Sequence, residues 1–282
     1  MNKNLLQIHA KSFYWASFFL SKKIFYKCSI LYNFCRTLDD IVDSEKQLEI
    51  KKREFSTFKN DFLNKNLDNK IINEMWSVID SDGISERIVL DLFDGVETDL
   101  KEKVHIKSKK DLLIYSYRVA GTVGLMMSKI LQVKDKNAFK GAIDLGIGMQ
   151  LTNIARDVIE DKKNNRKYIE SEFSSIKDTI KESEVFYEKS FSSIRKIPLR
   201  SRFSVIVARR VYKKIGDYIL KQNNTENYIK AGKIYVPLIG KINETFLSVL
   251  DFFKLLFMQN SDYEKHESHN ILAQEINLNE RV

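Results

Sequence analysis

The sequence is poor in residues that interrupt helices. Only two prolines (Pro198 and Pro237) and ten glycines occur in 282 residues, and no stretch rich in Gly, Ser or Pro divides the chain. Leu, Ile, Lys and Glu instead recur at helical rather than alternating spacing. We therefore expect an all-α fold with one domain over residues 1–258, followed by a polar tail over residues 259–282 that is prone to fraying.

Cysteine is also scarce. Cys28 and Cys35 lie seven residues apart on one predicted helix, which indicates buried thiols rather than a disulfide framework and favours a reducing, cytoplasmic compartment. The beginning of the sequence does not have a basic region, an apolar core and a small-residue cleavage site in that order, so we expect no secretory signal. The apolar stretch 246–258 is interrupted by Asp251 and Lys254 and is too short to span a bilayer.

Charge of one sign is in excess, because the formal net charge is +9. An anionic partner is therefore expected, and the candidates are nucleic acid, a lipid surface and a phosphorylated substrate. The lysines are dispersed and no recognised nucleic-acid-binding module is present. We therefore do not expect nucleic acid as a partner.

The helical spacing predicts a series of helices with short joints between them. The predicted helices cover 21–44, 45–64, 70–79, 85–101, 108–131, 136–161, 174–197, 202–221 and 245–258.

Two aspartates of the first long helix are spaced four residues apart. Asp39 and Asp43 project from one face, and Arg36 lies one turn earlier. Like charges at this spacing repel, and a divalent cation with oxygen ligands, such as Mg²⁺, would offset the repulsion. An isolated pair of this kind is nevertheless more often part of a solvated acidic surface.

A later helix repeats this arrangement. A polar stripe on it runs beside an apolar stripe, which indicates that the polar groups line an interior cleft where unpaired charge is costly. Two such helices facing each other would hold Mg²⁺ between their aspartates, and the metal would hold a departing diphosphate. The polar stripe consists of Gly146, Gln150, Asn153, Asp157 and Asp161.

Between the two pairs, the predicted helix over 115–124 has small residues where bulk is usual. Gly121 and Gly124 destabilise a helix. Close approach by a long apolar ligand would account for them, and tight helix packing accounts for them equally well. Tyr115 offers a ring for contact with a cation and a hydroxyl for phosphate or proton relay, although core packing also accounts for a single tyrosine.

Taken together, these segments resemble the squalene and phytoene synthase family over most of the chain, from His9 to about Lys241. Four segments are similar to the family's motifs and occur in its order. Within the family, 124–127 and 150–157 are most similar to bacterial phytoene synthases. The four segments are 9–13, 35–43, 115–124, and 150–161 together with Arg166 and Tyr168 behind it.

The resemblance implies a single-domain isoprenoid synthase helical bundle with a central active-site cavity. It also implies head-to-head condensation of two geranylgeranyl diphosphates, through prephytoene diphosphate, to phytoene, with release of diphosphate, in carotenoid biosynthesis. Mg²⁺ is the implied cofactor, with Mn²⁺ as a substitute, and NADPH is not expected.

The resemblance further implies roles for individual residues. The late segment 233–241 keeps the outer basic residues of the family's basic segment but loses most of the charge between them, which weakens the expected grip on diphosphate at that end. Metal binding is expected of Asp39, Asp43, Asn153, Asp157 and Asp161, and catalysis of Tyr115, Arg36, Asp39 and Asp157. Substrate contact is expected of His9, Ser12, Phe13, Tyr32, Arg36, Tyr115, Gly121, Gln150, Asn153, Arg166, Tyr168, Tyr212, Lys233 and Lys241.

Several other functions stay open at this stage. A squalene or dehydrosqualene synthase would use farnesyl diphosphate, and the squalene synthase would also need NADPH. A head-to-tail chain elongator shares the first aspartate motif, but its second motif should resemble the first, and 156–161 does not. A non-catalytic assembly factor of the same fold need not keep metal ligands, whereas both aspartate pairs are intact here.

A long apolar product favours delivery to a bilayer surface over release into water. Peripheral membrane association is therefore expected, through an interfacial helix with lysines nearby. A terminal helix docked on the core is the alternative. The interfacial residues would be Phe246, Leu247, Val249, Leu250, Phe252, Phe253, Leu255, Leu256, Phe257 and Met258.

Overall fold

The chain folds as a bundle of α-helices. A computed structural model describes residues 10–258 and 267–281. The helices in chain order are α1 Lys11–Ser17, α2 Lys22–Asp43, α3 Leu48–Leu63, α4 Lys70–Asp82, α5 Glu86–Glu97, α6 Lys109–Ser116, α7 Thr122–Ile130, α8 Lys136–Lys163, α9 Phe173–Phe191, α10 Leu199–Leu220, α11 Thr225–Ala231, α12 Leu238–Phe257 and α13 Glu267–Ala273.

Shorter elements connect some of these helices. A π-helical turn over Tyr117–Gly121 joins α6 to α7, and a 3-10 turn over Ser192–Lys196 follows α9. Two-residue strands, β1 Val104–His105 and β2 Arg166–Lys167, pair in parallel with Val104 opposite Arg166. This pairing ties the chain that leaves α8 to the loop that precedes α6.

Helix α2 presents its aspartates away from the core because of where its apolar residues lie. Phe34, Leu38 and Val42 recur every four residues and are all buried. Phe34 packs among the aromatic rings of α3 and α5, including Phe58 at 5.5 Å and Phe93 at 5.8 Å between ring centroids. This packing fixes the rotation of α2 about its axis, so the Arg36, Asp39 and Asp43 side chains are left outside the core.

Helix α8 runs through the middle of the bundle and packs against α7, α9 and α10. Asp135 caps its first turn by accepting hydrogen bonds from two backbone amides. Its glycines allow very close helix packing, since a Cβ on Gly146 would lie 2.2 Å from the carbonyl oxygen of Ala120. A Cβ on Gly124 would lie 2.2 Å from the carbonyl oxygen of Ala142. Helix packing therefore accounts for these small residues.

The predicted all-α fold is confirmed, and the long predicted helices are present with shifted ends. The segment predicted as one helix over 108–131 contains the π-helical turn. The last long helix begins at Leu238 rather than at residue 245. Helices α1, α11 and α13 were not predicted from the sequence.

The polar tail differs from the expectation of fraying over its described residues, 267–281. Helix α13 packs against the body, and His269 Nε2 lies 2.5 Å from Asp144 Oδ1 in a buried pair. Arg281 donates to both carboxylate oxygens of Asp91, at 3.0 and 3.1 Å. The same carboxylate accepts the Tyr117 hydroxyl at 2.9 Å. The end of the chain thus braces the π-helical turn.

Within the described ranges, no helix is both long enough and apolar enough to cross a membrane.

Candidate active site

The first aspartate pair projects from the C-terminal half of α2. Solvent reaches Asp39, yet the protein atoms around it still desolvate its carboxylate. This desolvation, followed by the like charge of Asp43, raises the pKa of Asp39 to about 7. The pair therefore carries unfavourable negative charge near neutral pH, which a bound cation would relieve.

The second pair lies on the last turns of α8. Asp157 and Asp161 are half-buried, and burial together with the charge of Asp157 raises the pKa of Asp161 to about 7. Asn153, one turn earlier, has a buried Oδ1 with no hydrogen-bond partner among the described residues. A buried carbonyl oxygen without a partner is costly, which is consistent with a ligand that the chain itself does not supply.

Asp99, just after α5, lies between the two pairs. It contributes to the raised pKa of both Asp39 and Asp161, so its carboxylate is close to both. Burial also raises the pKa of Asp99 itself. The two aspartate segments, far apart in sequence, therefore meet around a fifth carboxylate that the sequence analysis did not single out.

Two tyrosines bind this central carboxylate. Tyr115 donates its hydroxyl to Asp99 Oδ2 at 2.8 Å, and Tyr168 donates to Oδ1 at 2.6 Å. The two rings stack with centroids 4.8 Å apart. Both hydroxyls are buried and face a carboxylate, so the pKa of each tyrosine is raised. Tyr115 and Tyr168 are therefore neutral donors at physiological pH.

Arg166 connects the second segment directly to the first. Its Nη1 donates to Asp43 Oδ1 at 2.7 Å, and burial leaves only 12% of its side chain exposed. The strand pairing of Arg166 with Val104 fixes its backbone. We call residues 162–171 the flap, since this segment leaves α8 and covers a pocket of about 240 Å³ beside Asp161.

Asp157 has its own set of cations. Arg156 donates from Nε to Oδ1 at 2.8 Å and from Nη2 to Oδ2 at 2.6 Å. Lys233 Nζ lies 3.5 Å from Asp157 Oδ1 and 2.5 Å from Glu160 Oε2. Arg156 is a second residue that the sequence analysis did not assign to the site, although its position directly before Asp157 was visible in the sequence.

The donors fit a divalent cation shared with a phosphorylated ligand. In the described part of the chain, no three carboxylate, imidazole or thiolate groups converge closely enough to hold a metal ion alone. Mg²⁺ typically takes only one or two carboxylates and completes its shell with water and substrate phosphate. The chemistry of the two pairs and the unpartnered oxygen of Asn153 suit that mode of binding.

The other predicted site residues are distributed around this centre. Tyr32 is close to Arg36 and Asp39, and its burial raises its pKa to about 12. Arg36 pairs with Asp40 at 2.5 Å through Nη2, while its buried Nε has no hydrogen-bond partner among the described residues. Tyr212 lies close to Arg156 and Asp157, which both influence its pKa.

The remaining predicted contacts are less close to the carboxylates. The Phe13 and Tyr212 rings are 4.8 Å apart, and Ser12 and Gln150 are half-buried. The space in front of Gly121 is filled by Tyr117 and Ile143. Lys241 lies beside Lys11 and has no ion pair with an aspartate segment among the described residues. His9 lies outside the described residues.

Comparison with known proteins agrees with this geometry. A model of the squalene/phytoene synthase family matches residues 6–174. A 15-cis-phytoene synthase of Pantoea ananas is 27% identical in an alignment 250 residues long, which covers 75% of this chain and 79% of that protein. A phytoene synthase of Pseudescherichia vulneris is 29% identical in an alignment 220 residues long, which covers 66% of this chain and 71% of that protein.

A solved structure of a dehydrosqualene synthase in complex with a ligand has a similar fold. It superposes with a TM-score of 0.74 at 25% sequence identity. The superposition covers 87% of this chain and 93% of that chain. The likeness therefore extends to helices beyond the matched range 6–174.

Proposed function

Because the chain belongs to the squalene/phytoene synthase family, we propose that it is a phytoene synthase of carotenoid biosynthesis. It joins two geranylgeranyl diphosphates head to head and releases two diphosphates and two protons, one of each in each of two stages. The observation that carries the proposal is the meeting of two aspartate pairs around Asp99, with cationic side chains beside them. This is the arrangement that a departing diphosphate requires.

The aspartates would hold the metal and the cations would hold the diphosphate. We assign the binding of Mg²⁺ or Mn²⁺ to Asp39, Asp43, Asp157 and Asp161, with Asn153. When bound, the metal would stabilise the charge that develops on departing diphosphate. The guanidinium of Arg166 matches phosphate geometry and already lies at the first pair.

The reaction balances in two stages. In the first, one allylic substrate loses its diphosphate, the double bond of the second attacks the allylic cation, and a proton is lost to close the cyclopropane of prephytoene diphosphate. In the second, that intermediate loses its diphosphate, rearranges and loses another proton to give phytoene. No hydride enters, so NADPH is not consumed.

The aromatic and amide groups of the site suit the cationic stages. The ring faces of Tyr115 and Tyr168 are held by their hydrogen bonds to Asp99. Rings fixed in this way can stabilise a nearby allylic cation without competing as nucleophiles. Because both phenols keep their protons, the lost protons would leave by another acceptor, for which diphosphate is available in the site.

A product assay tests this proposal. Purified protein receives Mg²⁺ with geranylgeranyl or farnesyl diphosphate, with and without NADPH, and the hydrocarbon is identified by chromatography and mass spectrometry. We expect phytoene from geranylgeranyl diphosphate without NADPH, and none from Asp157→Asn. Squalene formed only with NADPH, or dehydrosqualene as the sole product, would contradict the choice of substrate.

A second assay tests whether the two prenyl diphosphates are joined head to head or head to tail. Labelled isopentenyl diphosphate is supplied with an allylic primer. Incorporation of the isopentenyl unit would establish head-to-tail elongation and would reject the head-to-head proposal.

We also propose that the protein binds a bilayer surface and delivers its product there, because helix α12 exposes an apolar face to solvent. Exposed fractions are 73% for Ile239, 71% for Phe246, 66% for Leu250 and 84% for Phe257. Leu255 is an exception, since it is fully buried in the core and cannot contribute to an interfacial face. A contiguous exposed apolar face of this kind marks an interaction site.

The inward side of α12 is polar, which explains this orientation. Glu244 is buried and accepts from Arg210 Nε at 2.9 Å, and Arg210 Nη1 donates to Asp251 at 2.8 Å. Trp15 of α1 donates to Thr245 at 2.9 Å, so α1 and α12 form one surface. The ion pairs direct α12 onto the body and leave its large apolar residues facing solvent.

Vesicle flotation tests the membrane proposal. We expect the protein to float with vesicles rich in phosphatidylglycerol and less with neutral phosphatidylcholine, because the net charge of the chain is +9 and α12 itself carries Lys241 and Lys254. Phe246→Asp with Leu250→Asp should abolish flotation. Leu67→Asp, at a residue 59% exposed outside this face, is the matched control. Self-association in place of vesicle binding would identify the face as a contact between copies.

A further inference from the structure

One carboxylate of each aspartate pair is ion-paired with a cation from outside its own helix. Asp43 Oδ1 lies 2.7 Å from Arg166 Nη1. Asp157 Oδ1 lies 3.5 Å from Lys233 Nζ, whose closer partner is Glu160 Oε2 at 2.5 Å. Among the described residues, the other carboxylate of each pair has no ion pair. The chain therefore places one of its own positive charges at each of the two pairs.

Lys233 belongs to a short segment whose backbone is anchored, and its side chain is partly exposed. The segment 232–237 joins α11 to α12 and begins at Gly232, whose φ is +62°. Ile234 and Val236 are buried and anchor it. The side chain of Lys233 is 36% exposed, so its long, flexible stem can turn away from Asp157 without displacing the backbone.

Arg166 also reaches an aspartate from an anchored backbone, although its side chain is more buried than that of Lys233, with 12% exposed. Its backbone is held by the pairing of β1 with β2, and its guanidinium reaches Asp43 through a long side chain. Arg156 is different, because it lies on the same helix as Asp157, directly before it, and donates to both of its carboxylate oxygens. Arg156 is thus held beside Asp157 by the helix that they share, whereas Arg166 and Lys233 reach the aspartates from other segments.

We infer that Lys233 and Arg166 are internal counter-ions, which hold the aspartate pairs before the metal arrives and then turn to the diphosphate. The inference rests on the proposed function. A carboxylate oxygen that binds an ammonium or guanidinium group is less available to a metal ion, and the competing positive charge repels the metal. Once the metal takes the carboxylate, the released cation finds its new partner in the diphosphate that enters with the metal.

This arrangement has a consequence that a simple diphosphate-binding role does not. Removal of the Lys233 charge should strengthen metal binding in the absence of diphosphate, because a competitor is lost. It should weaken diphosphate binding in the presence of metal, because a partner is lost. The two effects have opposite signs, and a general disturbance of the site would weaken both.

Titration of the protein with Mn²⁺ alone tests the first effect. The electron paramagnetic resonance signal of free Mn²⁺ measures how much of the ion is bound. We expect Lys233→Met to bind Mn²⁺ about two- to fivefold more tightly than the unaltered protein, the range typical of partly exposed ion pairs. Calorimetry measures the binding of inorganic diphosphate in saturating Mn²⁺, and this binding should be weaker in Lys233→Met by a similar or larger factor. Lys233→Arg keeps the charge and should restore both values.

Lys230→Met is the matched control. Lys230 lies on α11, is exposed, and pairs with Glu226 at 2.7 Å away from the aspartates, so its loss should change neither binding constant. Unchanged or weaker Mn²⁺ binding by Lys233→Met would overturn the inference. The product assay on the unaltered protein decides the proposed function separately, since phytoene can form whether or not Lys233 competes with the metal.

Discussion

Asp99 is the residue around which the site is organised. Its carboxylate accepts both tyrosine hydroxyls and lies near one aspartate of each pair. The hydrogen bond from Tyr168 also joins the flap to the end of α5, since Tyr168 belongs to the flap. The position of Arg166 next to Asp43 therefore depends on a bond made two residues later.

Substitution Tyr168→Phe should loosen the flap. It removes one hydrogen bond to a charged acceptor, and we expect the free energy of unfolding to fall by about 1.5–3 kcal/mol. Trypsin should cleave the native protein faster at Lys162, Lys163 and Arg166. Both effects are measured by urea denaturation and timed proteolysis.

Tyr26→Phe is the control for this substitution, because Tyr26 is 61% exposed. It should leave both measurements unchanged. Equal cleavage of the flap in Tyr168→Phe and the unaltered protein would show that Asp99 does not hold the flap.

The sequence identified the aspartate pairs but not the residue that joins them. Asp39 and Asp43, and likewise Asp157 and Asp161, have a helical spacing that is visible without a structure. Asp99 has no such partner in sequence, and with Glu97 and Glu102 nearby it resembles a solvated helix end. Its role comes from tertiary contacts with Tyr115 and Tyr168, which spacing does not encode.

The two cysteines should be chemically inert in the folded protein. Burial raises the pKa of Cys28 to about 12 and raises the pKa of Cys35 as well. The reactive thiolate is therefore scarce at pH 8. We expect no reaction with Ellman's reagent in the native state and release of two equivalents in guanidinium chloride. Rapid release of one equivalent from the native protein would show an accessible thiol.

Among the helices, α7 and α8 are packed so closely that glycine is required between them. A Cβ on Gly124 of α7 would lie 2.2 Å from the carbonyl oxygen of Ala142 on α8, which would force the two helices apart. The π-helical turn lies equally close to α8, because a Cβ on Gly146 would lie 2.2 Å from the carbonyl oxygen of Ala120 in that turn. Close helix packing here places Tyr115 and the second aspartate pair within reach of the same carboxylate.

Gly146→Ala should therefore be costly. We expect the free energy of unfolding to fall by about 3 kcal/mol, at the upper end of the usual range for overpacking. Gly148→Ala on the same helix is the matched control, since its Cβ would meet neighbours no closer than 3.3 Å, and a smaller loss is expected. Denaturant unfolding of both variants measures the difference, and equal losses would contradict the packing argument.

The elements that sequence reasoning missed are short or irregular. Helices α1, α11 and α13 each have seven residues, too few to establish a period. The two-residue strands have no alternation to detect. The start of α12 was missed because this helix was predicted from the apolar run 246–258. The residues before this run include polar ones, since α12 turns polar residues inward and apolar residues outward.

At the scale of the whole molecule, the carboxylates of the site make stability depend on pH. Asp39 and Asp161 have pKa values of about 7 in the folded protein, against about 3.9 in an unfolded chain. Between these values the folded state binds more protons than the unfolded state. The contribution of these groups to the free energy of unfolding therefore falls as pH rises from about 4 to about 7, and it is constant above that range.

We expect the Tm of the unaltered protein in EDTA, taken relative to that of the variant Asp39→Asn with Asp161→Asn, to fall across this pH window, because the variant lacks both titrations. Mg²⁺ at pH 8 should raise the Tm of the unaltered protein and not that of the variant. These Tm values are measured by calorimetry, and identical pH slopes for both proteins would contradict the assignment.

The ion pairs that attach α12 respond to their surroundings in a way that apolar contacts do not. In solution, water that reaches the partly exposed Arg210 and Asp251 weakens the attraction of Arg210 for Glu244 and Asp251. When α12 lies at the boundary between lipid headgroups and acyl chains, less water reaches these side chains, and the attraction between them becomes stronger. Adsorption would therefore fasten α12 more firmly to the body than solution does, so that contact with lipid stiffens the very element that makes it.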